Sequence, residues 1–229
     1  MASFPSFGPE AIRKNGGQYT FEVVINKKSV ALPLINVGKE TPVWIAYADV
    51  SANTALFDAA LPAMVDMIRK ERSAGKIIKA IVTPQSSKSE HFFRTVAGRL
   101  SLPLIQLIGA VDDPESVKRK AAPGLTTECV SVVSKAKGIT KTIGMTKKDA
   151  DLLQNLHGRI AWVDDVTTTG ETRNKSFLLI NRAINRPPDT AYPSFVIATE
   201  SPWGPEYPKP FPEYHALYQS PEFIGKLPA

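Results

Sequence analysis

Residues 160–172 read IAWVDDVTTTGET, an apolar run followed by two adjacent aspartates, three threonines and a glycine. A short apolar run bounded by polar residues is typical of a buried strand. The small residues after it predict a tight loop into a helix, whose first N–H groups and dipole favour a phosphate. Ionised carboxylates at Asp164 and Asp165 only accept hydrogen bonds, so they suit the paired hydroxyls of a sugar or a metal ion. A ribose 5-phosphate offers both kinds of group.

A plainer interpretation of the same residues is an N-cap turn, in which Asp and Thr side chains only satisfy the start of a helix. The acidic pair and the hydroxyl run, taken together, favour the ligand site. The sequence contains neither GxxxxGK[ST] nor GxGxxG, so neither a Walker A loop nor a dinucleotide-binding fingerprint is present.

Outward from this segment, apolar runs alternate with helical spacing of apolar residues. Strands are predicted at 43–50, 76–84, 102–111, 128–134, 159–166 and 192–200, helices from Asn53, over 89–100, from Thr146 and over 171–185, and loops at 112–126 and 135–145. This order predicts an α/β fold with a doubly wound, mainly parallel sheet and helices on both faces. Ligands of such sheets bind beyond the carboxyl ends of the strands.

Three regions follow from the composition along the chain. Residues 1–42 are β-prone and interrupted by Gly and Pro, residues 43–200 form the alternating core, and residues 201–229 are rich in Pro and aromatic residues. The last region is either a strap whose aromatics pack on the core or a lid over the site. A hood built from both terminal regions is expected.

Charge and cysteine content narrow the class of protein. The net charge of +6 suggests an anionic partner, but residues 135–148 contain five lysines without an arginine or an aromatic residue, which disfavours a nucleic-acid platform. The single cysteine, Cys129, cannot form an internal disulfide and is expected to be a buried strand residue. Without an apolar leader or an apolar run of about 18 residues, a soluble cytoplasmic protein with no membrane partner is expected.

With these residues in view, VDDVTTTGET resembles the phosphoribosyl-pyrophosphate (PRPP) signature of type I phosphoribosyltransferases. The context extends through most of residues 43–200 and is most similar to adenine- and xanthine-type members. IVTPQSSKSEHFFRTVAGRL resembles their pyrophosphate-binding strand, loop and helix, and SVVSKAKGITKTIGM occupies the place of their mobile catalytic loop.

The resemblance implies Mg²⁺-dependent transfer of ribose 5-phosphate from PRPP to a purine or purine-like base by a homodimer. Asp164 and Asp165 would hold the ribose hydroxyls, directly or through the metal. Lys135 and Lys137 would close over the leaving group, unless they belong to a solvated loop. Trp203 would stack on the base, unless it only packs. The 5-phosphate would be bound by Thr167, Thr168, Thr169, Gly170, Glu171 and Thr172. The pyrophosphate would be bound by Gln85, Ser86, Ser87 and Lys88.

Departures from the family pattern leave two alternatives open. The segment QSSKS has fewer cationic and glycine residues than the usual pyrophosphate loop, which favours a non-catalytic sensor of PRPP or nucleotide on the same fold. The lysine-rich segment and the long tail leave room for a transferase with an unusual biosynthetic acceptor. The three histidines are dispersed and do not suggest zinc.

Overall fold

The computed structural model describes the chain in segments that together hold two sheets and five helices. The described residues are 12–38, 42–73, 77–131, 139–156, 159–167, 169–200, 214–220, 222–224 and 227. The strands are β1 (Ile12–Asn15), β2 (Gln18–Ile25), β3 (Lys28–Asn36), β4 (Val43–Ala46), β5 (Ile78–Pro84), β6 (Leu104–Ala110), β7 (Thr126–Ser131), β8 (Ile139–Gly144), β9 (Arg159–Thr167), β10 (Ser194–Glu200), β11 (Tyr214–Ser220) and β12 (Glu222–Ile224). The helices are α1 (Thr54–Ser73), α2 (Glu90–Leu100), α3 (Pro114–Lys120), α4 (Lys147–Asn155) and α5 (Glu171–Ala183).

The larger sheet has the order β11-β10-β9-β5-β6-β8-β7. Strands β11, β10, β9, β5 and β6 are parallel, and β8 joins β6 and β7 by antiparallel pairing. Because β8 reverses the direction once and β7 reverses it again, β7 ends at the same edge as the parallel strands. The predicted mainly parallel α/β sheet is confirmed.

Helices cover both faces of this sheet, as a doubly wound fold requires. Ala161 and Val163 of β9 pack in the cluster that holds α1 and α2, whereas Ile160 and Trp162 pack in the cluster that holds α4 and α5. Successive side chains of a strand point to opposite faces, so a strand buried on both faces must be apolar throughout. This explains the uninterrupted run IAWV.

The smaller sheet is antiparallel and has the order β1-β2-β3-β4-β12. Phe21, Val23 and Ile25 of β2 are buried and alternate with exposed Glu22 and Val24, as expected for a sheet with one wet face. The apolar face packs on α1. Since β12 comes from the other end of the chain, both terminal regions contribute to this sheet, as predicted for the hood.

The strand predicted at 43–50 does not enter the core sheet. Only residues 43–46 are extended, and they pair with β3 and β12. Asp49 then opens a turn toward α1, and Asn53 caps that helix by accepting from the Leu56 N–H at 3.0 Å. The division of the chain at residue 43 therefore passes through the smaller sheet, and it stays a prediction.

Both predicted loops contain regular structure. Within 112–126, Asp113 caps α3 by accepting from the Ser116 N–H at 2.8 Å, and Pro114 occupies the first turn, where its missing N–H costs nothing. Within 135–145, residues 139–144 form β8, and Ile143 of this strand is buried. The sequence did not predict these two elements, because both segments are rich in polar residues.

The Pro-rich tail is not only a strap. Between Pro212 and Pro221 lies a proline-free window, and β11 occupies it with parallel pairing to β10. Tyr218 is buried there. No helix in the described ranges is both long and apolar enough to cross a membrane.

Candidate active site

The site is built around the carboxyl end of β9, which lies between β10 and β5 in the larger sheet. Asp164 and Asp165 are half-buried there, and α5 begins six residues later, at Glu171. Gly170 precedes the helix with φ of 74°, a conformation that costs glycine nothing and other residues much more. The Glu171 N–H reaches the Thr169 hydroxyl at 3.4 Å. The turn therefore exposes the amino end of α5 beside the two carboxylates.

The acidic pair is held by its own backbone. The Asp165 N–H donates to Asp164 Oδ1 at 3.0 Å, and the Val166 N–H donates to Asp165 Oδ1 at 2.8 Å. Burial raises the pKa of both carboxyls, and the neighbouring Asp165 charge raises the pKa of Asp164 further, well above its usual value. Cationic ligands or hydroxyl donors would relieve this accumulation of negative charge.

The loop that follows β5 meets this pair from the neighbouring strand. Gln85, Ser87 and Lys88 are exposed, Ser86 is half-buried, and the Ser86 carbonyl accepts from Glu90 where α2 begins. Ser89 is buried, and an interaction with its hydroxyl lowers the pKa of Asp165. The structure thus brings the predicted pyrophosphate loop and the predicted ribose carboxylates to one edge.

Lys88 has partners that the sequence did not predict. Its Nζ donates to the Tyr47 hydroxyl, lies 4.8 Å from the centre of the Tyr47 ring and lies 3.8 Å from Asp49 Oδ2. The hydrogen bond with Tyr47 raises the pKa of Lys88, burial opposes this, and the Asp49 and Asp165 charges add to it. This aspartate directly follows the run VWIAYA, but the sequence gives no sign that residue 49 pairs with residue 88.

Lys141 is a second cation that sequence reasoning missed. It lies on β8, and its charge lowers the pKa of Asp164 against the effect of burial. Its side chain crosses Gly109 of β6 so closely that a Cβ there would lie 2.5 Å from Lys141 Cε. The sequence shows the lysine-rich composition around residue 141, but it does not predict the antiparallel strand β8 on which Lys141 lies.

Cys129 lies buried in β7, as the sequence predicts, and burial raises the pKa of its thiol. The Thr172 hydroxyl is 4.0 Å from its sulfur, so Cys129 packs behind the predicted phosphate loop. Ser176 also donates to the Thr172 carbonyl at 2.7 Å. These contacts fix the first turn of α5 against the sheet.

An open cleft of about 520 Å³ lies between the smaller sheet and the start of α1. Tyr47 and Asp49, the partners of Lys88, form one wall. The lining residues are Gln18, Thr20, Ala31, Pro33, Tyr47, Asp49, Ala52, Asn53 and Thr54. The cleft therefore adjoins the predicted pyrophosphate loop and offers both polar and apolar walls to a small ligand.

Four predicted site residues, Lys135, Lys137, Thr168 and Trp203, lie outside the described residues. Their roles stay predictions. Strand β7 ends at Ser131 and β8 begins at Ile139, both at the edge that holds the acidic pair.

For a metal ion, the described part of the chain offers no cluster of three or more His, Cys, Asp and Glu side chains. The pair Asp164 and Asp165 supplies hard oxygen ligands in a region whose pKa values show excess negative charge. Mg²⁺ commonly binds through one or two carboxylates and takes its other ligands from water and substrate phosphates. The donor set fits Mg²⁺ of that kind.

No protein-family model matches the chain, and no curated protein matches it. Solved adenine phosphoribosyltransferases do match. The Giardia lamblia enzyme complexed with 9-deazaadenine is 17% identical, with a TM-score of 0.49 over 82% of this chain and 93% of that one. The Thermoanaerobacter pseudethanolicus enzyme is 14% identical, with a TM-score of 0.47 over 82% and 95%.

The match to the Trypanosoma brucei enzyme, solved with AMP, pyrophosphate and ribose-5-phosphate, spans 64% of this chain but only 56% of that one, at 13% identity and a TM-score of 0.44. These enzymes are of the class that the sequence resembles. Identities this low and TM-scores below 0.5 assign neither substrate nor activity.

Proposed function

We propose that this chain is a PRPP-dependent phosphoribosyltransferase that joins a purine or purine-like base to ribose 5-phosphate and releases pyrophosphate. One observation supports this most strongly. Two desolvated carboxylates, a helix start opened by Gly170 and the loop that holds Lys88 meet at a single edge of the parallel sheet. At this edge the carboxylates would bind the ribose diol of PRPP, the helix start would bind its 5-phosphate, and the loop of Lys88 would bind its pyrophosphate.

In the proposed reaction, the bond from ribose C1 to the pyrophosphate oxygen breaks and a bond from C1 to a base nitrogen forms. Pyrophosphate leaves with the electron pair of the broken bond, and the N–H proton of the base passes to the departing pyrophosphate or to water. The first turn of α5 holds the 5-phosphate, with Thr167, Thr169 and Thr172 as hydroxyl donors. Asp164 and Asp165 orient the ribose hydroxyls, so the protein contributes mainly positioning and charge stabilisation.

Asp164 and Asp165 would also hold Mg²⁺, directly or through the ribose hydroxyls, and the bound ion supplies charge neutralisation at the pyrophosphate. Gln85, Ser86, Ser87 and Lys88 receive the leaving group. Lys135 and Lys137 would add positive charge from the segment between β7 and β8. The base would lie in the cleft beside Tyr47, with Trp203 as its stacking partner. Assembly as a homodimer in the cytoplasm belongs to the same proposal.

The test is direct. The full chain is incubated with PRPP, Mg²⁺ and a panel of purines, pyrimidines and related heterocycles, and release of pyrophosphate is measured. We expect release with at least one purine-like base and loss of release on chelation of Mg²⁺. A response restricted to a different heterocycle would identify an unusual acceptor, and silence across the panel would overturn the catalytic proposal.

A second candidate, a sensor that binds PRPP or nucleotide without turnover, is favoured by one observation. Lys88 is the sole cation in the segment 85–88, and it is engaged by Asp49 and Tyr47. Calorimetry separates the two functions, because a sensor would bind PRPP with Mg²⁺ while no base in the panel produced pyrophosphate.

A further inference from the structure

The two members of the ion pair between Lys88 and Asp49 are held differently, and this difference indicates which of them moves. Asp49 Oδ1 accepts from the Ser51 hydroxyl at 2.6 Å, from the Ser51 N–H at 2.9 Å and from the Ala52 N–H at 3.1 Å. These hydrogen bonds outweigh the effect of burial and lower the pKa of Asp49. The carboxylate is therefore fixed and ionised.

Lys88, by contrast, is 56% exposed at its side chain, whereas the Asp49 side chain is 13% exposed. Its flexible stem and loop position allow the ammonium group to leave Asp49 without disturbing the turn. Exposed ion pairs contribute little to stability and exchange partners readily. The mobile member of the pair is the lysine.

We propose that Asp49 and Tyr47 act as positioning residues that hold Lys88 in a resting position, from which an incoming pyrophosphate group must draw it. This proposal rests on the proposed function and adds regulation to its pyrophosphate loop. Lys88 exchanges the Asp49 carboxylate and the Tyr47 hydroxyl for phosphate oxygens. The fixed Asp49 charge opposes this exchange, so the resting contact weakens pyrophosphate binding.

The carboxylate side of the contact predicts a gain of affinity on mutation, which a simple anion-binding loop would not show. Asp49→Asn removes the charge but retains a side-chain oxygen that can accept from Ser51 and Ala52. Tyr47→Phe removes the hydroxyl and keeps the ring. Each substitution releases Lys88 from one of its two resting partners.

The experiment is calorimetric titration of the full chain with inorganic pyrophosphate and Mg²⁺ near physiological ionic strength. We expect Asp49→Asn to lower Kd by about three- to tenfold, which is the range of an ion pair partly screened by solvent. Tyr47→Phe should lower Kd by about two- to fourfold, since it removes the hydroxyl contact of Lys88 and leaves the Asp49 ion pair in place. Asp66→Asn, the same charge change on the exposed face of α1, should leave Kd within twofold of the wild type.

The double variant Asp49→Asn with Lys88→Gln distinguishes a contact with Lys88 from general repulsion. We expect it to bind no more tightly than Lys88→Gln alone. Tighter binding of the double variant, or an unchanged or higher Kd for Asp49→Asn, would overturn the proposal while leaving the proposed function in place.

A ligand-free measurement tests the contact separately. NMR titration of the Lys88 side chain should give a pKa above the usual value of a lysine, and Asp49→Asn should lower it. If the substitution leaves that pKa unchanged, the resting contact does not exist. If wild type and variants bind neither pyrophosphate nor PRPP, the proposed function falls and the regulatory inference falls with it.

Discussion

At the residue scale, the burial of the neighbouring carboxylates Asp164 and Asp165 costs electrostatic free energy. Burial raises the pKa of both carboxyls and the Asp165 charge raises that of Asp164 further, and the backbone N–H groups, Lys141 and the Ser89 hydroxyl offset only part of this. A group whose pKa is higher in the folded state binds more protons there than in the unfolded chain. Stability therefore falls as the pH rises through the interval between the unfolded and the folded pKa values.

The direction of this pH dependence leads to a prediction for the double substitution Asp164→Asn with Asp165→Asn. It should abolish turnover, because an amide oxygen replaces each charge that orients the diol or the metal. In metal-free buffer at neutral pH, the melting temperature should stay equal or rise by a few degrees. The gain should shrink as the pH falls from the folded toward the unfolded pKa values, and it should be lost below about 4, where the wild-type carboxyls are protonated in both states.

Thermal unfolding monitored between pH 4 and 8, together with pyrophosphate release, measures both effects. Asp151→Asn on α4 is the matched control, because Asp151 pairs with Lys147 at the surface. It should change neither turnover nor the pH dependence. Loss of folding in the double variant would show that the pair has a structural role instead.

Gly170 permits a second prediction at this scale. An alanine at φ of 74° should cost about 1–2 kcal/mol of stability and shift the first turn of α5. Such a shift at the phosphate subsite should lower turnover by about tenfold or more. Gly98→Ala in α2 is the control, since the added methyl meets nothing within 4 Å and alanine is the better helix former. It should gain about 0.5–1 kcal/mol.

Chemical denaturation of the two alanine variants gives the measurement. The comparison isolates backbone conformation, because both substitutions add one methyl group. Equal effects at positions 170 and 98 would contradict the positive φ as the reason for glycine in VTTTGET.

At the element scale, local signals account for what the sequence predicts correctly. Strands β5, β9 and β10 and helices α2, α4 and α5 have apolar periodicity or caps within their own residues. Strand β8 reads ITKTIG, with three polar residues at its centre, and it takes its place in the sheet by pairing with β6 and β7. Strand β11 lies among prolines, and pairing with β10 secures it. Long-range pairing is not encoded in a local pattern.

The candidate site divides in the same way. Asp164, Asp165 and residues 85–88 follow directly from strand ends, so the sequence predicts their placement. Tyr47 and Asp49 reach the site through the turn between β4 and α1, and Lys141 reaches it through an antiparallel strand. These three depend on how distant elements pair, and the sequence offered no local signal for their approach to the acidic residues.

The cap of α4 provides the prediction for this scale. Thr146 accepts from the Asp149 N–H at 3.2 Å and donates to Asp149 Oδ2 at 2.6 Å, so its side chain caps the helix that the sequence predicts from this residue. Thr146→Ala should cost about 1 kcal/mol in the free energy of unfolding. Thr95→Ala in α2 is the control, because that hydroxyl only bonds back to the His91 carbonyl at 2.9 Å.

Urea denaturation should show a loss for Thr146→Ala and no loss, or a small gain, for Thr95→Ala, since mid-helix hydroxyls of this kind slightly destabilise helices. A similar loss in both variants would mean that the hydroxyl at position 146 contributes no more than any helical threonine.

At the scale of the whole molecule, the C-terminal part of the chain joins the two sheets. Strand β11 extends the larger sheet beside β10, and β12 pairs with β4 of the smaller one. The ring of His215 stacks on buried Phe195 with a centroid distance of 4.9 Å, and Tyr218 packs in the cluster that contains α1. The two strands therefore differ in how much of the core depends on them.

Stepwise truncation tests this difference. Ending the chain after Ser220 removes β12 and three backbone pairings with β4, so the melting temperature should fall by only a few degrees. Ending it before Tyr214 also removes β11, which uncovers Phe195 and leaves β10 as an open apolar edge prone to association. We expect the longer chain to unfold cooperatively and the shorter one to aggregate or lose its cooperative transition. Size-exclusion chromatography and circular dichroism would measure both, and a monomeric, cooperatively folded product of the second truncation would show that β11 is dispensable to the core.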